Sequence, residues 1–165
     1  MKKLYILFLI MILILSFTAC GGSEAPSSET DESGIESVEL PEFSIIIEGA
    51  EATAFTNADA SDFELVEIEA VQTKKDGSEE TNLWTGIVLK DVLAFAGVSE
   101  YSSLTIEASD GYAQEYTPNI VEGETILAFY KDGELIDDTG SVQLVPKGEP
   151  GNMWIRELSK ITINK

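Results

Sequence analysis

The sequence predicts an α+β fold in which antiparallel β-strands dominate. Seven short runs downstream of the N-terminal region are rich in Ile, Val, Thr, Phe and Tyr, and several alternate apolar with polar residues, as strands with one buried face do. Asp110-Gly111 and Asp132-Gly133 each lie between two such runs, and this dipeptide is the strongest short-range signal of a β-hairpin. One helix is clear, because residues 86–98 carry an apolar stripe at helical spacing.

The first twenty residues have the pattern of a lipoprotein signal. Two lysines precede an uncharged apolar run over residues 4–17, which is shorter than the roughly 20 apolar residues of a membrane span. The run ends in F-T-A-C, and Cys20 is the only cysteine of the chain. This ending resembles the lipobox of bacterial lipoproteins. The resemblance implies cleavage of residues 1–19 as a signal peptide and lipidation of Cys20, which anchors an extracytoplasmic protein to the cell membrane through acyl chains such as palmitate. An uncleaved N-terminal anchor with an incidental cysteine is the alternative.

Composition and charge restrict the remaining chain to a tether and one domain. Residues 20–41 are rich in Gly, Ser, Glu, Asp and Pro and predict an acidic, flexible linker, so the folded domain is expected over residues 42–165. The formal charge is −20 at pH 7. Phosphates of nucleic acid need a basic surface, which excludes nucleic acid as a partner. One cysteine excludes a disulfide framework, and the absence of histidine excludes a histidine-ligated haem.

The elements of the domain can be placed along the chain. The predicted strands cover residues 43–49, 63–71, 103–109, 113–117, 125–130, 141–145 and 160–164. The helix over residues 86–98 is expected to end at Gly97, where a left-handed residue belongs. Short helices are expected over residues 58–62, with Asp59 as the cap, and over residues 153–158.

Five segments between Trp84 and Ile163 follow one another in a recognisable order. They read WTGIVLKDVLAFAGV, LTIEASDGY, ILAFYKDGEL, VQLVP and MWIRELSKITI. The ordered set resembles the molybdopterin-binding domain of the sulfite oxidase family. The resemblance implies that fold, extending more weakly back to Phe43. It also implies a site where an anionic pterin cofactor is held by cations and its molybdenum by one cysteine thiolate.

The residues that the resemblance requires at this site are missing. The thiolate is expected after the strand that reads ELVEIEAVQTKKDG here, where this chain has Val71, Gln72 and Thr73. The family's strand arginine corresponds to Gln143, and no histidine is present. Molybdenum ligation of this kind needs a soft thiolate, and loss of a buried charge-assisted pair costs about 2–5 kcal/mol. We therefore predict that the scaffold is kept, that no cofactor is bound and that catalysis is lost.

Four residues are candidates for lining a pocket on this scaffold, although no catalytic residue and no metal ligand is predicted. They are Tyr112, Gln143, Lys147 and Trp154. If the topology holds, Tyr112 and the loop over residues 147–153 lie toward the cofactor mouth. The alternative for Trp84 and Trp154 is plain core packing with satisfied indole N–H groups.

Other chemistry finds little support in the residues. The acidic pairs Glu79-Glu80 and Asp137-Asp138 are interpreted as solvated loops. Residues 132–138 offer oxygen atoms for calcium but lack the spacing of an EF-hand loop, so an adventitious weak site is expected.

The predicted function is that of a lipid-anchored surface protein whose domain serves as a binding or interaction module. Its partners are the bilayer, through Cys20, and an unidentified small molecule or surface protein. The alternative is a molybdopterin-dependent oxidoreductase, or a subunit of a redox complex, whose metal is held without protein sulfur. A third possibility is a pocket for an unrelated small molecule such as a haem, a flavin or a wall fragment.

Overall fold

Ten β-strands form two five-stranded sheets in the residues that the computed structural model describes, 40–136 and 141–165. The first sheet has the order β2-β1-β10-β5-β6. Its strands are β1 Ser44–Glu48, β2 Ala54–Thr56, β5 Ser103–Ala108, β6 Ala113–Tyr116 and β10 Leu158–Asn164. The pair formed by β1 and β10 is parallel, and the other pairs of this sheet are antiparallel.

The second sheet is antiparallel throughout and carries the features discussed below. Its order is β3-β4-β7-β8, and β9 also pairs with β7. The strands are β3 Val66–Thr73, β4 Glu79–Val88, β7 Thr125–Lys131, β8 Glu134–Leu135 and β9 Gln143–Pro146. The sequence had not indicated β2, β4 or β8 as strands.

The helices are short. They are α1 Asn57–Ala60, α2 Leu89–Phe95 and α3 Pro118–Glu122, with a 3₁₀ turn at Gly151–Met153. In α1 the cap is Thr56, and Asp59 lies three residues later, where its carboxylate accepts a hydrogen bond from the Thr56 backbone N–H at 2.9 Å. Within the part of the chain that the structure describes, every helix falls short of the length and apolarity that a membrane crossing needs.

Two of the predicted helices are corrected by long-range packing. The clear helix begins at Leu89 because residues 86–88 pair with β7 and extend β4. The helix expected over residues 153–158 is absent. Trp154 and Ile155 are buried in different core clusters, which requires the alternating side-chain directions of extended chain, and Ile155 forms a β-bridge with Leu144.

The hairpin at Asp110-Gly111 is confirmed, and Asp132-Gly133 also forms a hairpin, although its second strand is β8 and not the run over residues 141–145. Gly111 connects β5 to β6 with φ +85°, and Gly133 connects β7 to β8 with φ +82°. Asp132 has φ +53°, and its carboxylate accepts hydrogen bonds from the Leu83 N–H and from the Asn82 side chain, both at 2.9 Å. The predicted α+β class, mostly antiparallel with one clear helix, is confirmed.

The two faces of the second sheet belong to different apolar clusters. The larger cluster joins residues of both sheets with α2 and includes Phe55, Leu89 and Leu127. The smaller cluster lies on the opposite face of the second sheet and is closed by the segment after the 3₁₀ turn. Its buried members are Ile68, Ala70, Trp84, Ile126, Ala128, Val145 and Trp154. The candidate site adjoins this smaller cluster.

Candidate functional site

Two adjoining cavities open beside the smaller cluster. The first, called here the basic cavity, has a volume of about 860 Å³ and is lined by Lys74, Lys75, Lys131 and Arg156 among others. The second, called here the amide cavity, has a volume of about 420 Å³ and is lined by Trp84 and Gln143 among others. Three residues line both cavities and so join them: Gln72, Lys131 and Arg156.

Several separate parts of the chain build these walls. The end of β3 supplies Gln72 and Thr73, and the turn that follows supplies two lysines. The end of β7 supplies Lys131, whose backbone pairs with that of Trp84 in β4. The segment between the 3₁₀ turn and β10 supplies Arg156. Since these parts are far apart in sequence, the second sheet is what brings them together.

Two hydrogen bonds and a close backbone contact hold the 3₁₀ turn against both sheets. Tyr112, which is 43% exposed, donates its hydroxyl to the Asn152 carbonyl at 2.7 Å. The buried Tyr116 donates its hydroxyl to the Met153 carbonyl, and burial raises the pKa of Tyr116 well above its usual range. At Gly151 an added Cβ would lie 2.4 Å from the Thr73 carbonyl oxygen, so glycine permits this close approach. The wall of the basic cavity is therefore held at a fixed position.

Positive charge concentrates at the basic cavity. Ten lysine and arginine residues occur in the chain, and two of them, Lys2 and Lys3, lie outside the described residues. Four of the other eight line this cavity, against the carboxylates of Glu80 and Asp110. The position of the family's strand arginine is Gln143 here, but cations reach the site from other positions of the chain.

Glu80 organises two of these cations. Its carboxylate lies 2.8 Å from the Lys131 Nζ and 2.6 Å from the Lys74 Nζ. Hydrogen bonds from Lys131 and then from Lys74 lower the pKa of Glu80 from its ordinary value of 4.5 to about 2. Glu80 forms no ion pair with Lys75 or Arg156. Neither of these two residues makes a hydrogen bond or an ion pair with a residue that the structure describes.

Glu80 should contribute stability that depends on pH. Because the folded pKa lies below the unfolded one, this contribution is present above about pH 4.5 and is lost as the pH falls toward 2. We expect Glu80→Gln to lower the denaturation midpoint at neutral pH and the gap from the unmodified protein to close near pH 2. Urea unfolding across this pH range measures the gap. Glu79→Gln, at an exposed position without an ion pair to a described residue, is the control. A gap that stays constant with pH would contradict the assignment.

The amide cavity has two buried donors without acceptors. The Nε1 of Trp84 and the Nε2 of Gln143 have no hydrogen-bond partner among the described residues, although these residues are only 3% and 5% exposed. An unsatisfied buried donor costs about 1–3 kcal/mol. By contrast, the Trp154 Nε1 donates to the Glu149 carbonyl at 3.1 Å. The expectation that each buried indole N–H has a hydrogen-bond acceptor thus holds for Trp154 but not for Trp84.

The structure brings three of the four candidate pocket residues to this site. Tyr112 and Trp154 line the basic cavity, and Gln143 lines the amide cavity. Lys147 lines neither cavity and instead pairs with Glu124 at 2.6 Å. The four cations of the basic cavity were missed, although the Lys74-Lys75 pair is conspicuous in so acidic a chain. Cys20 and Asp137-Asp138 lie outside the described residues.

The described residues show no cluster of metal-binding side chains. In residues 40–136 and 141–165, no group of three or more His, Cys, Asp or Glu side chains is placed to hold a metal ion. The Asp132 carboxylate, a candidate calcium ligand, is occupied by the two hydrogen bonds that it accepts from Asn82 and Leu83.

Comparison with solved structures identifies the fold. The sequence matches no model of a known protein family, and no curated protein matches it. The structure is similar to that of the sulfane dehydrogenase SoxCD from Paracoccus pantotrophus, with a TM-score of 0.65, 21% sequence identity and coverage of 78% of this chain. The sulfite oxidase-type fold is confirmed. The match covers 40% of the SoxCD chain, so the similarity concerns one part of that protein.

The residues at the cavities can be tested against the cofactor that the family resemblance implies. Four cations line the basic cavity, and Trp84 and Gln143, each with a buried donor that lacks a partner among the described residues, line the amide cavity. At the end of β3, however, Gln72 and Thr73 line the basic cavity where the family resemblance calls for a thiolate. Molybdenum chemistry of that type needs a soft sulfur ligand. The donor set therefore fits an anion but does not fit a molybdenum held by protein sulfur.

Proposed function

We propose that this chain is a lipid-anchored, extracytoplasmic binding protein whose sulfite oxidase-type domain has lost molybdenum catalysis. The observation that carries the proposal is the pairing of a cation-lined cavity with glutamine and threonine at the thiolate position. Binding needs only the cations and donors that are present. Oxidation at a molybdenum held by protein sulfur needs the thiolate that is missing at this position.

The binding step follows from the charges and hydrogen-bond donors at the two cavities. The net charge of −20 repels anions from most of the surface, and the lysines and the arginine of the basic cavity give an anionic ligand a favourable point of entry. The clamped 3₁₀ turn keeps the cavity wall in place before the ligand arrives, which lowers the ordering cost of binding. Reversible capture of a small molecule at the cell surface is the function these features support.

A second candidate function is a molybdopterin-dependent oxidoreductase, or a subunit of a redox complex. The observation in its favour is the fold shared with a dehydrogenase. Growth of the native host with tungstate in place of molybdate separates the two. A resident molybdenum cofactor stabilises the folded state by its binding, so its loss should lower Tm. We expect Tm to be unchanged; a lower Tm after tungstate growth supports the oxidoreductase.

The anchor is tested at Cys20. We expect cells given an alkyne-tagged fatty acid to label the protein, and mass spectrometry of the labelled form to show Cys20 as the acylated N-terminus. Cys20→Ser should abolish the label, because the thiol is the acceptor of the lipid. Residues 1–19 retained on an unlabelled protein would instead identify an uncleaved apolar anchor.

A further inference from the structure

We propose that the basic and amide cavities form one metal-free site for a small molecule bearing an oxyanion group, with Arg156 as its anchoring cation. This inference rests on the proposed binding function and names the chemical class of the ligand. A carboxylate, a phosphate and a sulfonate all meet this requirement, because each is negatively charged and has several oxygen atoms that accept hydrogen bonds.

The first support is the distribution of charge. Four cations and two carboxylates line the basic cavity of a chain whose formal charge is −20. The amide cavity is lined by two cations, Lys131 and Arg156, and by two carboxylates, Glu134 and Glu157, so the two signs balance there. An oxyanion is therefore favoured on the basic side, and the amide side accommodates a neutral part of the ligand.

The second support is the pair of unsatisfied donors. The Trp84 indole and the Gln143 amide are buried in the wall of the amide cavity without an acceptor among the described residues. Both groups are donors, so the partner they lack is an acceptor and not a cation. A ligand oxygen on this side would remove the cost of leaving them unpaired.

Arg156 is the cation best placed to serve both sides. It lines both cavities, it is exposed, and no described carboxylate or hydrogen-bond partner engages it. Lys131 also lines both cavities, but it is bound to Glu80 and lies 5.5 Å from the centre of the Trp84 ring. A guanidinium can hold an oxyanion through two parallel hydrogen bonds, which a lysine cannot.

Calorimetric titration of the full chain in detergent with inorganic phosphate tests this site, at fixed ionic strength. We expect saturable binding of one phosphate per chain, and at least about tenfold weaker binding by Arg156→Gln. Lys90→Gln removes an exposed cation of α2 that lines neither cavity, and it should change the affinity by less than about twofold. The same titration with acetate distinguishes a carboxylate from a tetrahedral anion as the preferred group.

A second variant addresses the buried donors. Gln143→Glu keeps the shape of the side chain but adds a carboxylate to the cavity that Arg156 and Lys131 also line. This negative charge competes with phosphate for the two cations, so phosphate binding should weaken by at least about tenfold. Because Arg156 is exposed, Arg156→Gln is expected to fold. It therefore still tests the inference if Gln143→Glu fails to fold. Absence of saturable binding, or equal affinity in the unmodified protein and Arg156→Gln, overturns the inference. If phosphate does not bind and the protein contains no molybdenum, only the inference of an oxyanion site is overturned, and the proposed binding function remains. If the protein contains stoichiometric molybdenum, the proposed function itself is overturned.

Discussion

Replacing Gly86 with alanine is expected to destabilise the domain by about 3 kcal/mol. Gly86 lies in β4, where the register with β7 shifts between Thr85 and Gly86. A Cβ at this position would lie 2.0 Å from the Leu127 carbonyl oxygen and 2.7 Å from the Ala128 Cα. Since both atoms belong to the backbone of the central strand β7, the clash cannot be relieved by a side-chain rotation. Urea unfolding of the two proteins measures the difference.

The control for this substitution is a glycine in open space. Gly77 has φ +82°, and no atom lies within 4 Å of an added Cβ. Gly77→Ala therefore isolates the cost of the left-handed backbone, which is about 1–2 kcal/mol. If Gly86→Ala costs no more stability than Gly77→Ala, the backbones of β4 and β7 do not approach each other closely at Gly86.

Trp154→Ala should cost about 3–5 kcal/mol, the range for truncation of a large buried aromatic residue. Trp154 is buried, and its ring packs edge to face on Trp84 with centroids 5.5 Å apart. Its removal opens the wall between the smaller core cluster and the basic cavity. We expect a lower denaturation midpoint together with weaker phosphate binding.

The conservative variant separates packing from hydrogen bonding at this position. Trp154→Phe keeps an aromatic contact with Trp84 but removes the N–H that donates to the Glu149 carbonyl. Its cost should be about 1–2 kcal/mol, from the lost hydrogen bond and the smaller ring. An equal loss of stability in Trp154→Phe and Trp154→Ala would show that the hydrogen bond, and not the packing, dominates.

Features set by neighbouring residues were predictable from the sequence. The Asp-Gly dipeptides specify their own hairpins because glycine adopts positive φ without strain, and the stripe of α2 follows from helical spacing alone. The start of α2 and the chain after Met153 were not predictable in this way. Pairing of residues 86–88 with β7, and burial of Trp154 and Ile155 in different clusters, depend on partners far away in sequence.

The site was predictable only in part for the same reason. Tyr112, Gln143 and Trp154 were placed at the pocket through the family resemblance, which includes the three-dimensional arrangement. The cations come from a turn, a strand end and the segment before β10, so no spacing along the chain relates Lys75 to Arg156. Lys147 was predicted at the pocket because it belongs to the loop over residues 147–153, but it forms an ion pair with Glu124 instead.

The proposed binding function requires that the domain retains the fold and holds its ligand without molybdenum. The most direct test is the molybdenum and pterin content of the full chain purified from its native host. We predict molybdenum far below one atom per chain and no pterin fluorescence after oxidation, because Gln72 and Thr73 stand where the family resemblance calls for a thiolate. Stoichiometric molybdenum accompanied by pterin fluorescence would contradict the claim.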